Sequence, residues 1–412
     1  MNETEVAPGP DQQMFSLFDN PELGENPWPF FKILRDTSPV FRPPGSEQLP
    51  GGGMWIITRY DDAIRILRDP TTFSSMVDAR SMSGEKRAPT ILFDDPPIHT
   101  RMRGLLTSAF TPRVIEQQRE TIEENCRRMI DAMLEQDNPD LIDGRAYPLP
   151  VMVIANMLGV ADGDMATFKR WSDAIISNVG NTLVNPDDNS IADVNAEFDA
   201  YFSQHIKRLQ EHPEDNLLSA LISAESEEDG KLSMEDLLVV CRVLLVAGNE
   251  TTTGLIVNTA RVFSKYPEVI GQLKKRPDLI PSAIEEALRI FPPFFATFRR
   301  TTIDVEVSGV TIPANTRMLV MLASANHDER QFPDPDTYIA DRDPNRHLGF
   351  GMGIHYCLGA PLARLEGQIA MRLLIERITA LHIEPGDAGS VLNPGGPEHL
   401  PVKFERDPAF SG

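Results

Sequence analysis

Apolar residues recur every three or four positions along most of this chain. Ala63, Ile64, Ile66 and Leu67 follow Asp61 in that rhythm, and Val114 to Leu134, Pro150 to Leu158, Ala196 to Leu209 and Met234 to Lys265 continue it. Each stretch predicts a helix with an apolar face. Leu279 to Ile290 and Leu358 to Ile378 predict two more. Strand signals are short. Met54 to Thr58 follows Gly51-Gly52-Gly53, while Val305 to Val307, Val310 to Ile312 and Met318 to Met321 are separated by turn residues at Gly309 and Pro313-Ala314-Asn315. The pattern predicts one mainly α body with small peripheral β-sheets, an α+β fold in a single domain over 1–412. Residues 1–40, rich in Pro, Gly and acids, are expected to wrap it loosely. Val77 to Pro89 has no period, and a loop that long between helices is mobile or functional. Pro186 to Ser190 breaks another helical region.

Composition narrows the classes. With 41% hydrophobic residues a sizeable core is feasible. Acids outnumber bases 61 to 39, a net charge of −22 that repels phosphate backbones and anionic membranes, so no nucleic-acid partner is expected. The acidic start has no signal-peptide pattern. The longest apolar run, near Leu237 to Ala247, is shorter than a bilayer span and contains Arg242, so no membrane anchor is expected. Cys126, Cys241 and Cys357 lie far apart and form no CxxC pair, which excludes a disulfide scaffold and fits a cytoplasmic location.

The chemistry concentrates in Phe350-Gly351-Met352-Gly353-Ile354-His355-Tyr356-Cys357-Leu358-Gly359. Two glycines permit an irregular backbone that approaches a flat ligand closely. Cys357 precedes a helix with Pro361 in its first turn, and a thiol at a helix N-terminus is expected to have a lowered pKa, favouring the metal-binding thiolate. A lone cysteine is most often a small buried hydrophobe; its neighbours make the difference. Inside the apolar Met234 to Lys265 segment, Ala247-Gly248-Asn249-Glu250-Thr251-Thr252 puts a glycine, an acid and hydroxyls where burial is expected. Glu286 and Arg289 share a helical face, as do His99 and Arg103.

The ten-residue string matches F-G-x-G-x-H-x-C-x-G at every fixed position and so resembles the proximal loop of the cytochrome P-450 superfamily. The other elements follow in the expected order from Trp55 to Val402. The resemblance implies a haem b (iron protoporphyrin IX) held between a long distal helix and the cysteine loop, with Cys357 as the iron ligand. It implies Phe350, Gly351, Gly359, Ala247 and Gly248 around the haem, His99, Arg103, Arg299 and His355 on its propionates, and Glu250 with Thr251 in proton delivery. Glu286 and Arg289 become a structural ion pair. Leu92, Leu244, Ala247, Phe294, Phe295 and Thr297 become the substrate pocket, with Arg80 as the base a carboxylate substrate would use. Glu250 stands where aspartate is commoner, and Thr301 where alanine is frequent. The implied activity is a monooxygenase inserting one atom of O2 into a C–H bond of a lipophilic terpenoid, steroid or fatty-acid type substrate. No flavin or dinucleotide fingerprint is present, so electrons must come from a partner; the resemblance implies NAD(P)H with a ferredoxin reductase and a ferredoxin, and a monomer is expected. Residues 96–115 and 344–365 contain no acid, and a locally positive face there would suit an acidic ferredoxin. A peroxide-driven haem enzyme, or a haem sensor without catalysis, are the alternatives.

Overall fold

The computed structural model describes residues 24–410 apart from 45, 47–52, 78–89, 143–147, 185–189, 227–229, 385, 388, 393–396 and 398. Arg80, most of Val77 to Pro89 and most of Pro186 to Ser190 therefore lie outside the described residues. The helices that build the site are α1 (Trp28–Thr37), α2 (Tyr60–Arg68), α3 (Ile98–Ala109), α4 (Arg119–Leu134), α5 (Pro148–Met157), α6 (Met165–Val184), α7 (Ala192–Glu211), α8 (Met234–Lys265), α9 (Ile280–Ile290) and α10 (Ala360–Arg377). The main sheet contains β1 (Val40–Phe41), β2 (Met54–Ile57), β3 (Phe73–Ser74), β4 (Thr297–Thr301) and β5 (Arg317–Val320), in the order β1-β2-β5-β4-β3. Only the β2–β5 pairing is parallel within it, with Met54 opposite Arg317 and Ile57 opposite Val320.

The long helix α8 is the axis of the body. Its 32 residues span about 48 Å at 1.5 Å per residue. A capping box starts it: the Ser233 hydroxyl accepts the Asp236 N–H at 3.1 Å, and the Asp236 carboxylate accepts the Ser233 N–H at 3.0 Å. It ends at Tyr266, immediately before Pro267, whose ring disfavours helical geometry in the preceding residue. Its length and mean hydropathy suffice by themselves to cross a bilayer, more than its longest apolar run suggested. Here α5, α6, α7, α9 and α10 all pack on it, so it is the core helix of this body.

Three apolar clusters surround that axis. The first joins α1, the second half of α8, α9 and the end of α10; the second joins α3 to α7 with the first half of α8; the third fills the space between the main sheet and α2. The loose wrap expected for 1–40 does not hold over α1, where Trp28, Phe30, Phe31 and Leu34 are all buried in the first cluster. Four large side chains on one helical face outweigh the acids and prolines around them. The helix α6 does not stand out by pattern, although Phe168, Trp171 and Ile175 occupy one face and are buried. Thr301 is also explained: fully buried, it donates to the Pro313 carbonyl at 2.6 Å and holds the turn that returns β4 to β5.

Candidate functional site

The Cys357 loop lies on the end of α2. Gly353 has φ +75°, and a Cβ there would sit 2.1 Å from the Leu67 carbonyl oxygen. Glycine is therefore required both by its backbone and by contact. Gly351 also has positive φ, and a Cβ there would meet only the His355 carbonyl oxygen, at an ordinary 3.8 Å. The Cys357 N–H donates to the Phe350 carbonyl at 3.0 Å, closing the loop, and Gly359 precedes the first residue of α10. Burial pushes the Cys357 thiol up, against the lowering by the N–H groups of Gly359 and Ala360 and by the charges of Arg103 and Arg364. The lowering expected from the helix terminus is outweighed, because desolvation is the larger effect. The charge of a bound metal ion would favour the thiolate here.

Arg364 stacks over the Phe350 ring at 4.5 Å and donates twice to Glu285, at 2.8 Å each. Despite burial, hydrogen bonds from Arg364 and His347 pull the Glu285 carboxyl down to about 2. This arginine is therefore part of the loop's support.

Four basic side chains from three elements converge opposite. His99 and Arg103 come from α3, Arg299 from β4 and His355 from the loop; His99 and Arg299 are 2% and 5% exposed. The His99 and His355 rings are 4.3 Å apart between centroids. Burial, then Arg299, His99 and Arg103, push His355 down to about 3. Burial and then Arg103 lower His99, and burial pushes Arg299 down to about 10, opposed by Asp95. The Nε2 atoms of both histidines are buried without a hydrogen-bond partner among the described residues. Two arginines beside two orphaned ring nitrogens form a site that an anionic group would complete. The two carboxylates of a haem meet that requirement, with Cys357 close enough for its charge to be felt at Arg103.

On α8, Ala247 is exposed although the helix is otherwise largely enclosed, and Leu244, Glu250 and Thr251 are partly open. The Thr251 hydroxyl donates back to the Ala247 carbonyl at 2.7 Å, and burial alone raises the Glu250 pKa. Gly248 is placed differently: a Cβ there would meet the Ile154 side chain at 2.8 Å, so its smallness lets α5 close on α8. Asn249 is fully buried and donates to the Ser172 hydroxyl at 2.7 Å, tying α8 to α6. Leu92 and Phe294 are 45% and 49% exposed, large apolar side chains left open, whereas Phe295 packs against the first core cluster. Thr297 is partly buried at the start of β4.

Glu286 and Arg289 are both fully buried in a bidentate pair at 2.8 Å. Sequence reasoning misses its third member, Arg342, whose Nε donates to Glu286 at 2.9 Å. Arg289 also donates to the carbonyls of Asn326, Pro335 and Thr337, so the pair fastens the segment that leads into the cysteine loop. Glu366 escapes it as well. This side chain is fully enclosed, its carboxyl pushed up to about 8 by burial against a hydrogen bond with Thr252. The available signal was an acid on the apolar stripe Leu362, Ile369, Leu373 of a predicted helix.

Comparisons with known proteins agree with this geometry. The family model described as Cytochrome P450 matches residues 9–390. Cytochrome P450 monooxygenase PikC of Streptomyces venezuelae is 36% identical over 396 residues, covering 93% of this chain and 92% of its own. The solved structure of cytochrome P450 CYP109Q5 from Chondromyces apiculatus superposes with a TM-score of 0.83 at 35% identity, over 94% of this chain and 97% of that one. That of CYP109E1 from Bacillus megaterium in complex with testosterone gives 0.77 at 33% identity, over 87% and 93%.

Proposed function

The chain belongs to the cytochrome P450 family, a haem-binding monooxygenase of α+β fold, and from that premise we propose that it oxygenates a C–H bond of a neutral lipophilic substrate of terpenoid or steroid type. The observation that carries the site assignment is the pair of buried, unpartnered ring nitrogens of His99 and His355, set with Arg103 and Arg299 near Cys357. Cys357 would hold the iron and the four basic groups the propionates. Once bound, the haem supplies the redox chemistry that activates dioxygen, with the thiolate favouring O–O cleavage. The residues of the chain supply the remainder. Burial keeps a proton on Glu250 to higher pH than an exposed glutamate, so this side chain serves as a proton donor near the Ala247 opening. The Thr251 hydroxyl, spent on the Ala247 carbonyl, must turn from it to pass a proton inward. Leu92, Leu244 and Phe294 would bury the substrate and exclude water.

The substrate class is supported by those open apolar side chains and by the testosterone bound in the similar CYP109E1 structure. A cytoplasmic location is supported by three free thiols. Electrons would come from a ferredoxin reductase through an acidic ferredoxin docking near the cysteine loop. Arg68, Arg113 and Arg346 are exposed and suit that contact; Arg364 is committed to Glu285 and does not. The test is optical. The reduced carbonyl complex should give the red-shifted Soret band of a thiolate-ligated haem, and Cys357→His should abolish it; a variant that keeps the band would sink the assignment. Titrating the ferric protein with terpenoids, steroids and fatty acids should then give a low- to high-spin shift with the first two classes. A shift with fatty acids alone would overturn the substrate class. Reversing Arg113 and Arg346 to Glu should slow reduction by ferredoxin without weakening substrate binding.

A further inference from the structure

An apolar pocket lies away from the cysteine loop, between α4, α5, α8 and α10. Its wall includes Cys126, Met129, Met133, Thr259, Ala370 and Met371 and is almost wholly apolar. The two polar groups among them are spent or silent. The Thr259 hydroxyl donates to the Leu255 carbonyl at 2.9 Å, and burial pushes the Cys126 thiol up to about 12, so it stays neutral. A water molecule needs two to four polar partners to settle in such a space, and dry apolar cavities take up non-polar guests instead. Methionine is suited to this wall, because its thioether is polarisable and its chain adapts to the guest.

The position matters as much as the lining. Thr259 on α8 lies about two turns beyond Thr251 and Thr252. Gly367, also in the wall, follows Glu366, whose carboxyl hydrogen-bonds with Thr252 and whose charge is felt at Cys126. The cavity therefore sits behind the proton-handling stretch of the distal helix. We propose that it is a binding site for a small non-polar gas molecule, dioxygen in the working enzyme. The identity of the guest rests on the monooxygenase reading; the existence of a gas site does not.

The test uses the haem-loaded ferric protein with 13C-labelled methionine methyl groups. Dioxygen is paramagnetic, so raising its pressure, against nitrogen as control, should relax the Met129, Met133 and Met371 methyls faster than those of Met102, Met318 and Met321, which are buried elsewhere. Xenon-pressurised crystals should show xenon in the same space. Ala370→Leu fills the cavity and should remove both signals while leaving the reduced carbonyl spectrum intact; Cys126→Leu serves if the first variant does not fold. Equal relaxation of all six methionines, ordered water in the cavity, or signals that persist in the filled variant would each overturn the proposal.

Discussion

Replacing Glu286 by glutamine is the sharpest perturbation of the support beneath the cysteine loop. Its carboxylate accepts five hydrogen bonds: two from Arg289 at 2.8 Å, one from Arg342 at 2.9 Å, one from the Ile339 N–H at 3.1 Å and one from Asn345 at 3.1 Å. Both arginines are buried, with side chains 0% and 6% exposed. A glutamine of the same shape removes the negative charge and turns an NH2 group toward at least two of those donors. Two guanidinium groups are then left without their counter-charge, and breaking a buried pair in this way costs about 3–5 kcal/mol. The exposed pair Arg276–Asp278, with side chains 60% and 62% exposed, is the control; Asp278→Asn should leave stability essentially unchanged. The assay is urea unfolding of the haem-loaded protein, followed by both tryptophan fluorescence and haem absorbance, with coincidence of the two probes checked before a free energy is extracted. Both signals should fall together, at lower urea in the Glu286 variant than in the wild type, since Arg289 fastens the carbonyls of Asn326, Pro335 and Thr337 ahead of the loop. A loss no larger than that of the control would refute the reasoning that burial multiplies the value of this pair.

Three other outcomes are expected. Glu366→Gln should change the pH dependence of stability: a carboxyl raised from 4.5 to about 8 on folding loses stability as pH rises through that window and levels off above it. The amide variant should therefore gain on the wild type between those pH values, toward a ceiling of about 5 kcal/mol at 1.36 kcal/mol per pH unit; parallel stability curves would contradict the burial argument. Gly353→Ala should cost about 1–2 kcal/mol from the positive φ alone, and more from the Leu67 contact, seen as haem loss on gel filtration. Glu250→Gln should lower kcat by about 100-fold with little change in substrate affinity, as expected for a lost proton donor, while NADH consumption without product rises; an unaltered kcat would remove Glu250 from the reaction.

Much of the molecule was legible in the chain. The apolar rhythm of Met234 to Lys265 marks α8 to the residue, since Ser233, Asp236 and Pro267 act through local bonds that sequence alone encodes. The strands Val305–Val307 and Val310–Ile312 were equally plain, because Gly309 supplies the positive φ their turn requires. The cysteine loop could be read from its spacing. Facts that depend on what lies across from a residue could not. The sign of the Cys357 shift was reversed because burial is a sum over neighbours distant in sequence. Gly248 reads as facing the cleft until α5 sets Ile154 against it, and the packing of the partly buried Phe295 against the core has no local signature. Arg342 and Glu366 carry no local signature beyond a charge in a helix or loop, and only packing made one the third partner of a buried pair and the other a carboxyl enclosed behind Thr252. Sequence determined the elements, through backbone propensity and periodicity; tertiary structure decided the electrostatics, because desolvation and pairing exist only once the elements meet.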